Sequence, residues 1–474
     1  MKHKRFFALF LALIPILTFA PRAAAAYGDA CGADPLPNVS GYAAFAMELN
    51  TGTILLEKNA DEKLYPASTT KLMTALIAAE RVEAGLASLD DVITFSREAV
   101  YGIPRDTMHI AIDVGEQLTV RQVFYAILLP SANEACLGMA EYLAGSAEAF
   151  LILMNERAAE LGMTNTHFVT TNGLHDEQHY MSARDLATLM RECIRHPFLV
   201  EVMSTPTYDI PPTNKCSDTR HLVTTNDLLL TRSGVYNSKV VCGKTGYTTP
   251  AGNTLATLSE VDGMQFIVTV MKAPKGTTFK DTSALVDSFA ANLTLKTIDN
   301  TIDLAKSVPT ASGGTLMLEP ESFSVLCHKS DDPLTFEAVY DIPESIAEPA
   351  PAGTVFGSVE LYDHGFPVGH ASVVSRSDYL TSAVTDASDS QTAATPRADD
   401  NTVTAPAGTQ KGRTFAGTII RFLLILLCVA IVCAVIYGVV ILISAYRYSK
   451  KQSVQLPKKQ ASDAARPHKT EKGE

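Results

Sequence analysis

The stretch Tyr65-Pro-Ala-Ser-Thr-Thr-Lys-Leu-Met-Thr-Ala75 constrains this chain more than any other, because it sets a serine at the opening of an apolar helix with a lysine three positions on. Pro66 disfavours helix at the residue before it, and Leu72, Ala75, Leu76 and Ala79 then recur at helical spacing as far as Gly85. Ser68 therefore falls in the first turn. Residues three apart share a helix face, so the amine of Lys71 reaches the hydroxyl of Ser68. The backbone N–H groups of a first turn have no intrahelical partner and carry the positive end of the dipole, which suits an oxyanion forming beside Ser68. Nucleophile, base and one oxyanion donor thus come from a single turn. A bare Ser-x-x-Lys arises about once or twice by chance in a chain of 474 residues, as an N-cap serine with a solvated lysine, so other residues must decide.

Residues 1–26 predict an export signal: the basic head Met1-Lys-His-Lys-Arg5, an apolar run over 6–20, and small residues up to a cleavage point after Ala26. Cys31 does not suit lipid attachment, since Gly28-Asp-Ala30 before it lacks the apolar residue such a site needs. None of the eight cysteines has Cys-x-x-Cys metal spacing, and their pairing is left open. A net charge of −12 argues against a nucleic-acid-binding protein, and 46% hydrophobic residues suffice for the cores of two or three domains.

Residues 42–49 and 53–57 predict two strands joined by a glycine-containing turn. Helices follow: 119–129, broken by Pro130; 134–143, with Ser131, Ala132 and Asn133 in the turn before it; 146–161, ending at Gly162; and 183–193, capped by Ser182. His175 and His179 stand at a spacing that binds metal on a helix, yet Asn172-Gly173 predict a loop there, which makes both histidines structural or solvated. Strands at 238–247, 254–258 and 265–271 join the N-terminal hairpin in an antiparallel sheet covered by helices, with a closing helix at 283–295. The expected fold is α+β: a catalytic domain over 38–297, then a small all-β domain over 301–379, where short Val, Leu and Phe runs are broken by Gly, Pro and Asp. Residues 380–413 read as a flexible stalk and 422–446 as one uncharged transmembrane helix. The tail 447–474 is basic. Its lysines and arginines outnumber those before the span, which predicts a cytoplasmic C-terminus and a catalytic domain outside the cell membrane.

Ser68-x-x-Lys71, Ser131-x-Asn133 and Lys244-Thr-Gly246 occur in that order, on a helix, in a loop and on a strand, and this is the trio of penicillin-binding proteins and class A β-lactamases. The chain resembles the low-molecular-mass penicillin-binding proteins, serine-type D-alanyl-D-alanine carboxypeptidases, over most of residues 41–380. The match extends to Leu128-Leu-Pro-Ser-Ala-Asn133, Asn172-Gly-Leu174, Ser182-Ala-Arg-Asp185 and Ala352-Gly-Thr-Val-Phe-Gly357. The resemblance implies a penicillin-binding catalytic fold, release of the terminal D-alanine from peptidoglycan stem peptides, and acylation by β-lactam antibiotics. It departs from the family at Glu134, where many relatives have aspartate. Many relatives also have an arginine shortly after the Lys-Thr-Gly strand, where this chain has only Lys272, Lys275 and Lys280.

Chemistry assigns the roles. An ordinary lysine is charged at neutral pH, so Lys71 must be neutralised in part by burial and by the like charge of Lys244. Ser131 is a proton relay to the leaving amine. Asn133 hydrogen-bonds the substrate amide, Lys244 and Thr245 hold its carboxylate, and Gly246 lets the strand backbone approach. By resemblance, the N–H of Tyr247 is the second oxyanion donor, and no metal or organic cofactor is required. Endopeptidase or transpeptidase action on the same peptides is the nearest rival. A β-lactamase fits less well, for no Glu-x-x-Leu-Asn lies between Ser131 and Lys244, and a penicillin sensor lacks a folded output domain after residue 446.

Overall fold

Alternation in three central strands decides the architecture of the computed structural model, which describes Tyr27 and residues 35–379 apart from residue 348. Five antiparallel strands form a sheet in the order Ile54–Lys58, Ala43–Glu48, Met264–Ala273, Gly252–Val261, Val240–Thr248. Successive side chains of a strand point to opposite faces, and both faces here are apolar. Phe45, Met47, Ile267 and Met271 enter one core, while Ala44, Ala46, Phe266, Val268 and Val270 enter another.

The first core lies under the helices Lys71–Glu83, Val120–Leu128, Asn133–Ala144, Ala147–Glu160, Ala183–Cys193 and Pro197–Ser204. Three of their starts carry side-chain caps, of which the sequence predicts that of Ser182. Thr119 and Gln122 form a reciprocal capping box, and Ser146 and Ser182 each accept an N–H three residues on. Lys71–Glu83 runs through the middle of this layer, buried from Lys71 to Ala79. Ser68 precedes that helix in a 3-10 turn, Ala67–Thr70, and is not in its first α-turn. The i to i+3 alignment survives, because a 3-10 turn stacks those positions even more directly.

The second core lies between the sheet and the helix Thr277–Asn292, and continues into a second, seven-stranded antiparallel sheet. The closing helix expected at 283–295 thus starts and ends earlier. Leu293–Ile298 is a strand that pairs with Phe323–His328, so the second sheet begins ahead of residue 301. Only its end residues Leu293 and Ile298 are buried, and six residues without an alternating apolar face cannot be told from helix in sequence. Tyr27 is buried in the same core, with its hydroxyl donating to Asp363 at 2.9 Å. Cys136, Cys193, Cys216, Cys242 and Cys327 are free thiols. Among the described residues no single helix is long and apolar enough to cross a membrane. The expected signal, stalk, span and tail lie outside the described residues.

Candidate active site

The turn that carries Ser68 is pinned from two directions. The Pro66 carbonyl accepts the Thr69 hydroxyl at 2.7 Å and, from the neighbouring strand, the Thr254 hydroxyl at 2.9 Å. Ala67 is held at a φ of 50°, a left-handed conformation that costs a residue with a Cβ roughly 1–3 kcal/mol and that the surroundings must enforce. Ser68 is left half-buried at the floor of a cleft of about 540 Å³.

The edge strand Val240–Thr248 forms one wall. With a strand on one side only, it turns a row of unshared backbone groups toward Ser68. Gly246 makes the approach possible, since a Cβ there would meet the Ser68 nitrogen at 2.8 Å and the Thr254 hydroxyl at 2.3 Å. Tyr247 follows it and is 60% exposed at the cleft. Ser131 and Asn133 form the other wall, at the start of Asn133–Ala144. Ser131 combines a φ of 71° with a buried hydroxyl that has no hydrogen-bond partner among the described residues. A strained residue with an unsatisfied hydroxyl in a reactive cleft is available for proton transfer, because nothing else engages it.

Lys71 is fully buried. Its ammonium reaches the Ser68 hydroxyl at 2.9 Å, the Asn133 Oδ1 at 2.7 Å and the Asn172 carbonyl at 2.7 Å. The neutral amine has two hydrogens and one lone pair, and three partners of these kinds sort it. The two oxygens that can only accept take the hydrogens, and the lone pair faces the serine hydroxyl, which alone can donate. The same three oxygens also accept from the ammonium, so the site holds either form of Lys71, and the neutral form can accept the serine's proton.

Burial pushes the Lys71 ammonium down to about 8, against a smaller pull upward from Cys136 and Glu134. The like charge of Lys244 was expected to share in this. Instead, burial and then the Lys71 charge press Lys244 well below the ordinary lysine range. Repulsion between two ammonium groups falls on the one that yields its proton first. Lys244 is 1% exposed, donates to its own neighbour's carbonyl, that of Thr245, at 2.9 Å, and does not line the cleft. Thr245 does line the cleft, and its hydroxyl bonds that of Thr225 at 2.5 Å.

Sequence reasoning missed the loop around residue 172. Asn172-Gly-Leu174 was noticed as a motif, but a backbone carbonyl leaves no mark on residue type. Gly173 has a φ of 85°, and a Cβ there would lie 1.9 Å from the Ala67 carbonyl, so glycine is the signal that the loop touches the catalytic turn. His179 locks this loop. Its Nδ1 accepts the Val169 N–H at 3.0 Å, which leaves the hydrogen on Nε2 to donate to the Thr70 hydroxyl at 2.7 Å. His175 stacks edge-on against Tyr65. His179 is thus buried and structural, while His175 is exposed, and both lie in a loop, as the sequence signals predict.

Comparison with known proteins places the chain in a family. The profile of the family described as Peptidase S11, D-alanyl-D-alanine carboxypeptidase, matches residues 31–275. The D-alanyl-D-alanine carboxypeptidase DacF of Bacillus subtilis is 30% identical over 380 residues, covering 79% of this chain and 94% of its own. DacA of Escherichia coli is 33% identical over 255 residues, 52% of this chain and 59% of its own. Among solved structures, penicillin-binding protein 5 of Haemophilus influenzae has the same fold, with a TM-score of 0.63 at 24% identity over 73% of this chain and 99% of that one. The chain belongs to peptidase family S11, the D-alanyl-D-alanine carboxypeptidases.

Proposed function

We propose that this enzyme is a serine-type carboxypeptidase that removes the terminal D-alanine from peptidoglycan stem peptides ending in D-Ala-D-Ala. The observation that carries the proposal is the Lys71 amine, buried and shared between Ser68, Asn133 and the Asn172 carbonyl. Ser68 Oγ attacks the penultimate carbonyl as its proton passes to the Lys71 lone pair. The oxyanion is received by the N–H groups of Ser68 and Tyr247. The C–N bond then breaks as the proton held by Lys71 is relayed through Ser131 to the leaving D-alanine nitrogen, which restores both groups, and water hydrolyses the acyl-serine. Asn133 Nδ2 remains to donate to the substrate, and Thr245 binds the carboxylate under the field of Lys244. A β-lactam enters by the same attack and is retained as an acyl-serine.

The test is Ser68→Ala. Both D-alanine release from a D-Ala-D-Ala pentapeptide and covalent labelling by a fluorescent penicillin should vanish, and labelling that persists in the folded variant refutes the assignment. We also infer that residues 1–26 are an export signal, that 422–446 is a single-pass anchor, and that the catalytic domain is extracellular. Truncation after Thr409 should then release a soluble, active enzyme, and a truncated form still bound to membranes would refute the anchor.

A further inference from the structure

The cleft that holds Ser68 is lined by hydroxyl, amide and apolar groups, with one formal charge among them, the carboxylate of Asp106. Asp106 is exposed, and no ion pair or side-chain hydrogen bond among the described residues includes it. Its neighbour Arg105 lines a separate hollow with Tyr101 and His109, so the two charges face different spaces. The segment is held in place. The Thr107 N–H and hydroxyl both donate to the Pro104 carbonyl, at 3.2 and 2.7 Å, which closes a turn around Asp106. The Met108 carbonyl then accepts the Asn133 N–H at 2.9 Å, tying the turn to the residue that contacts Lys71. The cleft thus has the amines of Lys71 and Lys244 buried beneath its floor and, among the residues that line it, a single anion at its rim.

This polarity has a counterpart in the substrate, on the reading given under Proposed function, on which the inference rests. The scissile peptide ends in a carboxylate, and the residue before its two D-alanines is a diamino acid. That residue's side-chain ammonium is free before cross-linking and becomes a neutral amide after it. We propose that Asp106 is a specificity-determining residue that pairs with this ammonium and so favours stem peptides whose diamino acid carries a free side-chain amine over those in which that amine is acylated. Met108 and Leu174 line the same cleft and offer apolar surface to the methylenes that carry the ammonium. The pair sits near water, where such contacts contribute about 0.2–1 kcal/mol, or roughly a 1.5- to 5-fold preference.

The test compares two pentapeptides ending in Lys-D-Ala-D-Ala, one with a free lysine ammonium and one with that amine acetylated, using the full chain in detergent. The wild-type enzyme should favour the free amine by roughly 2- to 5-fold in KM, with kcat nearly equal. Asp106→Asn should bring the two KM values together, and Asp106→Lys should turn the preference toward a succinylated lysine, which carries a negative charge. Penicillin labelling of each variant verifies its fold. An undiminished preference in Asp106→Asn overturns the proposal, as does wild-type indifference to acetylation. Failure of the wild-type enzyme to release D-alanine from either peptide would instead overturn the carboxypeptidase reading itself.

Discussion

Replacing Asn133 by aspartate changes one atom of the Lys71 contact set and sets a negative charge where a neutral oxygen now stands, 2.7 Å from the amine. Burial has lowered Lys71 from 10.5 to about 8, so about one lysine in eleven is neutral at pH 7, against about one in three thousand for an ordinary one. That gain of about 300-fold in usable base is what the substitution attacks. An opposite charge at this distance raises a lysine by roughly 1–3 units, so the neutral fraction at pH 7 should fall by about 10- to 1000-fold. The assay is the second-order rate of acylation by a fluorescent penicillin between pH 6 and 11. In the wild type the rate should climb through about pH 8. In Asn133→Asp the climb should move to roughly pH 9–11, with a lowered plateau because aspartate cannot donate to the ligand as Nδ2 does. Asn133→Ala removes donor and acceptor without adding charge, and should lower the plateau without moving the climb upward. A climb that stays at the wild-type pH in Asn133→Asp would mean that Lys71 is not the base.

Two further outcomes follow from the same contacts. Lys71→Arg cannot present a neutral nitrogen and should lose turnover, whereas Lys244→Arg keeps the charge its role needs and should retain a measurable fraction; equal loss in both, with the fold intact by circular dichroism, would mean the two roles are confused. His179 is pushed down to about 4, chiefly by burial, and thus stays neutral in the folded protein while the unfolded chain takes up a proton near 6.5. Its stabilising contribution is complete above that value and should be lost as pH falls from 6.5 to about 4, by up to about 3 kcal/mol. Urea unfolding at several pH values should then show a smaller loss for His179→Gln, and identical slopes would count against the histidine.

The reacting groups were legible in the sequence because each is marked by residue type and spacing. Ser68 and Lys71 are three apart on a helical turn, Lys244-Thr-Gly246 ends a β-branched run, and the serines at 146 and 182 cap helices whose periodicity is plain. Alternation in strands fixed the sheet for the same reason, since a face that is buried must be apolar at every second residue. The second sheet was legible as a set of strands but not in its first member, Leu293–Ile298, which is too short to carry a period.

What only the tertiary structure decided is how those groups meet. The Asn172 carbonyl that completes the Lys71 environment lies 101 residues from it, and a main-chain oxygen is present in every residue, so no pattern announces it. The burial of Lys244 beneath the cleft, the hold of His179 on the 169–173 loop and the lone charge of Asp106 at the rim are likewise properties of packed neighbours. Residue type sets which proton a side chain can give or take. The depth at which the fold places that side chain, and the charges it places alongside, set the pH at which the proton moves.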